Sequence, residues 1–123
     1  MLDENQTTQP RNVPGFVSLT LPSLAALYAA YMPFLKNGGF FVPTNAPYKM
    51  GDEIFLMLAM KDDPERIPVT GNVIWITPKG AQNKRPQGVG VMFKNDENSK
   101  RGKLKIEQKL GTMLNSLNPT HTL

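Results

Sequence analysis

Hydrophobic and polar positions change their period once along this chain. From Phe16 to Phe93 the apolar residues come in short runs punctuated by Gly, Pro, Asn and Asp, and beyond Glu97 they recur at helical spacing. FVSLTL (16–21) alternates apolar and polar, which predicts a first strand. The Ala and Leu content of SLAALYAAYM (23–32) favours a helix, whereas Pro33 and the β-rich FFV downstream favour extended chain. The pattern reads as a short helical turn near 22–26 and a strand over 28–35. KNGG (36–39) carries the Asn-Gly signal of a tight hairpin, whose central positions need positive φ, and this places the partner strand at 40–44. IFLMLAMK (54–61) is apolar at nearly every position, as in a strand buried on both faces. IPVTGNVIWITP (67–78) predicts a long strand with Gly71 at a bulge or tight bend, and GVGVMF (88–93) a last one.

Ile106, Leu110, Met113, Leu114 and Leu117 then follow one helical stripe, so residues 97–117 are expected to form an amphipathic helix laid on the sheet. Leu104 falls off the stripe. Gly102 and Gly111 weaken this helix by about 1 kcal/mol each relative to Ala, and Asn118-Pro119 ends it. Six short strands with Gly-rich corners followed by a helix describe a mainly β fold, a six-stranded antiparallel barrel with a C-terminal α-helix. The expected organisation is a flexible N-terminal arm over 1–14, one domain over 15–118 and a tail over 119–123.

Composition adjusts this picture little. A chain of 123 residues with 40% hydrophobic content builds one core. It has no cysteine, which excludes disulfides and thiolate metal sites and fits a reducing compartment. The polar start, MLDENQTTQPRN, does not read as a secretory signal, and no apolar run reaches the roughly 20 residues needed to span a bilayer. A cytoplasmic monomer is expected. The net charge of +4 favours an acidic partner without choosing among nucleic acid, membrane face or protein. Basic residues gather at Lys79, Lys84 and Arg85 and again from Lys94 to Lys109, either as solvated faces or as a contact surface.

Catalytic chemistry has little material. His121, the only histidine, lies three residues from the end of the sequence, so neither a Ser-His-acid relay nor a His-based metal site can be assembled in the core. Asp52/Glu53 and Asp62/Asp63/Glu65 sit in predicted turns, where carboxylates are good turn formers. GVG (88–90) precedes a strand rather than a helix and so lacks the context of a phosphate-cradling loop. Phe40, Phe41, Phe55 and Trp75 have hardly any Lys or Arg between them, against the interleaved aromatic and basic groove that binds single-stranded nucleic acid.

The order of elements, with the GG hairpin between the second and third strands and a closing helix, resembles the PilZ domain. LYAAYMPFLKNGGFFVPT, GDEIFLML, IPVTGNVIWITPKGAQ and the terminal PTHTL are similar to the type IV pilus assembly PilZ proteins. Family members that bind cyclic di-GMP carry an N-terminal RxxxR and a [D/N]xSxxG on the hairpin, since guanidinium forks pair with phosphate and stack on guanine. Here the hairpin motif falls on Phe34, Lys36 and Gly39, and only the glycine is retained. Arg11 is the sole arginine before the first strand, and Gly15 stands four residues later. The resemblance therefore implies a non-enzymatic adaptor in pilus biogenesis and twitching motility. Such an adaptor uses no cofactor and does not itself bind cyclic di-GMP. It binds the pilus extension ATPase and an EAL-domain protein that senses cyclic di-GMP. The alternative is a small basic barrel that binds cyclic di-GMP or nucleic acid.

An adaptor needs an exposed apolar or aromatic patch. Tyr28 and Tyr31, three apart on the expected strand, should point to opposite faces, so that one could anchor an interface. Trp75 shares a strand face with Val69, Gly71 and Val73, either core or patch. Pro119, Thr120, His121, Thr122 and Leu123 combine a rigid proline, two hydroxyls, an imidazole and an apolar end, the ingredients of an extended recognition peptide. Their removal is expected to spare stability and weaken partner binding.

Overall fold

The computed structural model describes residues 15–80, 86–115 and 121–122. Five strands, β1 (Phe16–Leu21), β2 (Gly39–Pro43), β3 (Glu53–Met60), β4 (Arg66–Thr77) and β5 (Gly88–Phe93), form one curled half-barrel sheet in the order β1-β3-β4-β5-β2. Helix α1 (Leu24–Ala30) links the two edge strands, and α2 (Glu97–Leu110) runs into a 3₁₀ turn at Gly111–Asn115. Leu27, Leu56, Val69, Val73, Val91, Ile106 and their neighbours fill the concave side. Among the described residues no helix is long and apolar enough to cross a membrane.

Two expectations fail at the start of the chain. The strand expected over 28–35 is replaced by α1 and a loop, so the described residues form a sheet of five strands and the sixth is not found among them. The Ala/Leu propensity prevails because Ser23 caps the helix, accepting the Ala26 N–H at 3.1 Å, and because Leu27 and Ala30 face the core. Pro33 lies beyond the helix end and breaks nothing. The sheet is also not wholly antiparallel, since β1 pairs parallel with β3. Parallel neighbours need a long crossover, and α1 with β2 supplies it.

The hairpin shrinks accordingly. Tyr31 and Phe40 make one isolated antiparallel bridge, the Met32 N–H bonds the Gly39 carbonyl, and Gly38 carries the positive φ of 77° that the turn requires. Strand β3 is buried chiefly on one face, with Ala59 the buried residue of the other. Ile54, Leu56 and Leu58 enter the core, whereas Phe55 is exposed on the convex side and stacks on Phe16 at 5.7 Å. In β4 the bulge comes at Ile74, between Val73 and Trp75, three residues after Gly71. A Cβ at Gly71 would lie 2.3 Å from the Met92 carbonyl oxygen, so this glycine serves close strand approach.

Asp96 caps α2 by accepting the Ser99 N–H at 2.8 Å. The Ser99 hydroxyl both accepts from and donates to the Thr70 backbone, fixing the first turn to β4. Ser99, Gly102, Ile106 and Leu110 form the buried stripe. The helix ends at Leu110, well short of 117, where Gly111 turns to φ 53°, and Leu104 is exposed as its phase predicts. Lys105 and Lys109 bind the β3–β4 turn through Glu65 and Asp63 at 2.8–3.0 Å.

Gly102 is more than a weak helix former. A Cβ there would meet Val69 Cγ1 at 2.2 Å, and Val69 is a stiff, fully buried β-branched side chain. The propensity gain of Gly102→Ala, about 1 kcal/mol, is outweighed by overpacking at about 1–3 kcal/mol. Denaturant unfolding should show a net loss of stability; a gain would mean that α2 stands further from β4 than described. The Lys109 cluster sets a second expectation. The Glu65 N–H, followed by Lys109, holds the Asp63 carboxyl below its usual range. Lys105, followed by Lys109, does the same for Glu65. Carboxyls depressed in the folded state stabilise fully above their unfolded values, and that contribution is lost as pH falls through the folded ones. Melting temperature should therefore drop below about pH 4, with a smaller drop in Lys109→Met, which lacks the shared cation.

Candidate functional site

Tyr31, Gly39 and His121 meet at the β2 edge, where α1, the 32–38 loop and residues 121–122 come together. Tyr31 is fully buried at the end of α1, 1% exposed. Its hydroxyl donates to Glu107 Oε2 at 2.6 Å, and Glu107 also receives Lys103 at 3.3 Å. Burial, reinforced by the Glu107 hydrogen bond, raises the Tyr31 pKa far above the ordinary phenol value, so the group stays a neutral donor. Tyr31 is a structural tie rather than an interface anchor. Tyr28 lies on α1, half-buried against the core; the expected opposition of the two tyrosines across a strand does not occur, because Tyr28 is helical and Tyr31 is the extended residue that caps the helix.

The three hairpin positions separate by role. Phe34 is 45% exposed and Lys36 is exposed, with no ion pair among the described residues. Gly39 is buried, and a Cβ on it would lie 2.6 Å from both Leu35 Cδ1 and the Val91 carbonyl oxygen. The retained glycine thus has a packing reason that requires no ligand. Beside it, the Lys103 stem lies over Gly38. Arg11 lies outside the described residues, as do Lys84, Arg85, Pro119, Thr120 and Leu123.

Trp75 is not on the face of Val69, Gly71 and Val73. The bulge at Ile74 turns it to the convex side opposite Gly90, where a glycine Cβ would touch both Trp75 Cβ and the Met32 thioether. Its ring is half-buried and its indole N–H donates to Thr77 Oγ1 at 2.8 Å. Phe41 faces the same way, its ring beside Gly88 and 5.4 Å from the His121 ring.

His121 and Thr122 change the reading of the tail. The His121 N–H donates to the Ala29 carbonyl at 2.9 Å, and Thr122 is 1% exposed. These two residues pack on their own domain, whereas the sequence suggested a segment free to lie on a partner. No pattern in the sequence could have paired His121 with Phe41, eighty residues away. Met32, fully buried, and Glu107 were likewise not anticipated.

Cations do not converge here. Along α2, Arg101, Lys103, Lys105 and Lys109 face carboxylates while Lys100 is exposed, and Lys94 pairs with Glu53 on the sheet. Among the described residues no three His, Cys, Asp or Glu are grouped to hold a metal ion. The surface offers apolar and aromatic groups, Phe34 among them, with scattered charge. In comparisons with known proteins, the family model described as PilZ domain matches residues 5–108. No curated protein matches the chain.

Removal of residues 121–123 is therefore expected to lower stability by about 1–2 kcal/mol, since it deletes a backbone hydrogen bond and uncovers Phe41. The loss should shrink in acid. Burial lowers the His121 pKa below its ordinary 6.5, so the folded state disfavours the proton and docking of the segment is complete only above that value. Melting curves of the two proteins at pH 8 and pH 5 check this; equal melting temperatures at pH 8 would show that the segment is not docked.

Proposed function

The chain belongs to the PilZ domain family, and from that premise we propose that it is a non-enzymatic, cytoplasmic adaptor of the type IV pilus machine. PilZ domains are cyclic di-GMP-related adaptors or binders, and this one acts by protein contact. It engages the pilus extension ATPase and an EAL-domain protein that reads cyclic di-GMP, without binding the nucleotide itself.

One observation carries this reading. The hairpin that would present directed polar groups to a phosphorylated ligand presents an exposed phenyl ring at Phe34 and a lone ammonium at Lys36. Neither supplies the forked donors that pair with phosphate and stack on guanine. An exposed aromatic beside half-buried apolar neighbours is instead the composition of an interface anchor. The pairing of Lys103, Lys105 and Lys109 with carboxylates points the same way, because these α2 cations are committed within the domain rather than offered to nucleic acid.

Calorimetric titration with cyclic di-GMP should give no binding. Micromolar affinity is worth about 8 kcal/mol, far beyond one exposed lysine, and its observation would overturn the reading. Phe34→Ala should cost about 0.5 kcal/mol or less in stability, being a surface change, while weakening ATPase binding by about 2 kcal/mol as a hot-spot truncation does. Tyr28→Ala should also weaken binding, with circular dichroism as control because Tyr28 packs on the core. Unchanged affinity in both variants would place the ATPase surface elsewhere.

A further inference from the structure

Strand β1 ends the sheet, and its second edge bears on partner binding. Gly15 and Leu21 turn their carbonyls to β3, accepting the Phe55 and Lys61 N–H groups. In a parallel pair a residue's N–H and C=O point to the same side and alternate along the strand. Gly15, Val17, Leu19 and Leu21 therefore serve β3, and Phe16, Ser18 and Thr20 direct three N–H and three C=O groups away from the sheet. No strand pairs on that side among the described residues.

Natural edges are protected by charge, proline, bulges or cover. FVSLTL has no charge and no proline, and it pairs with β3 in unbroken register from Phe16 to Leu21. The side chains that accompany the open groups, Phe16, Ser18 and Thr20, are exposed. Phe16 and Phe55, 44% and 40% exposed, form a stacked apolar ledge at one end. At the other end Thr20 borders a cleft of about 480 Å³ that also holds Lys61, Asp62 and Arg66. There, among the described residues, Lys61 faces no carboxylate within ion-pair distance, and Arg66 donates to the Asp63 and Pro64 carbonyls. Asp63 also lines the cleft and feels Arg66, but its carboxylate is bonded to Lys109. Lys61 and Arg66 thus stand against Asp62 and a carboxylate already shared with Lys109.

We propose that the open edge of β1 takes up an extended segment of a partner protein as an added strand. The segment carries an apolar side chain over the Phe16–Phe55 ledge and an acidic residue at the Lys61–Arg66 end. Backbone pairing supplies affinity, and the ledge and cleft supply direction and specificity. This rests on the reading of the chain as a protein-binding adaptor and names the surface that reading lacks.

Hydrogen exchange of the full chain, followed by NMR, tests it. In the free protein the Val17, Leu19 and Leu21 amides should exchange slowly and those of Phe16, Ser18 and Thr20 fast. A capped peptide of alternating threonine and valine ending in two aspartates should slow all three of the fast ones. The same peptide ending in two lysines should bind about fivefold more weakly, and Ser18→Pro should weaken the aspartate peptide about tenfold while Ser18→Val does not. Slow exchange at all three amides in the dilute free chain would mean that its own N-terminal residues cover the edge. Protection that grows with protein concentration would mean that a second copy does. Either result, or unchanged exchange at millimolar peptide, overturns the proposal. The peptide assay does not involve the ATPase, so a chain that fails to bind the ATPase defeats only the adaptor reading. A chain that binds the ATPase while the three amides stay fast, with peptide and with ATPase, defeats only this inference.

Discussion

The hydrogen bond from Tyr31 to Glu107 joins the parts of this domain that the sheet alone leaves apart. Tyr31 closes α1 through its N–H on the Leu27 carbonyl, its backbone bridges Phe40 at the start of β2, and its hydroxyl reaches a carboxylate on α2. The half-barrel is open between its edge strands β1 and β2, and α1 and α2 meet over that opening. A buried hydroxyl without a partner would cost about 1–3 kcal/mol. Pairing with Glu107 removes that cost and orients α2, while the Lys103 stem over Gly38 carries the same contact to the hairpin loop.

The elements legible in the sequence are those whose environment is set by near neighbours. β1, β4 and β5 follow from alternation and turn residues, and α2 from its stripe. The misreadings arise where distant contacts decide. Residues 28–35 look extended when judged against FFV, yet the Ser23 cap and the pocket for Leu27 and Ala30 make the first part helical. β1 meets β3 rather than its neighbour in sequence, which no local pattern can announce. Trp75 is misplaced by one inserted residue, because a bulge at Ile74 reverses every side chain after it. Gly102 looks like a defect until Val69 is placed beneath it.

The site was legible by chemistry more than by position. Phe34 and Lys36 were identified as the wrong groups for a nucleotide, and both stand exposed. Gly39, the one position of the hairpin motif that matches, has a packing reason of its own in Leu35 and the Val91 carbonyl. Tyr31 and His121 illustrate the opposite case: residue types suited to recognition are spent on the domain's own core and cover. Phe34 faces outward, Tyr28 and Trp75 are half-buried, and Arg101, Lys103, Lys105 and Lys109 of α2 face carboxylates.

The most direct measurement of this account is the indole N–H resonance of Trp75, a single signal because the chain has one tryptophan. It lies on the convex face against Gly90 and Met32, bonded to Thr77, and it can be followed in a ¹⁵N-labelled sample while unlabelled pilus extension ATPase or cyclic di-GMP is added. The account predicts that the signal shifts or broadens with the ATPase and stays fixed with the nucleotide. A signal that moves with cyclic di-GMP and ignores the ATPase would contradict it.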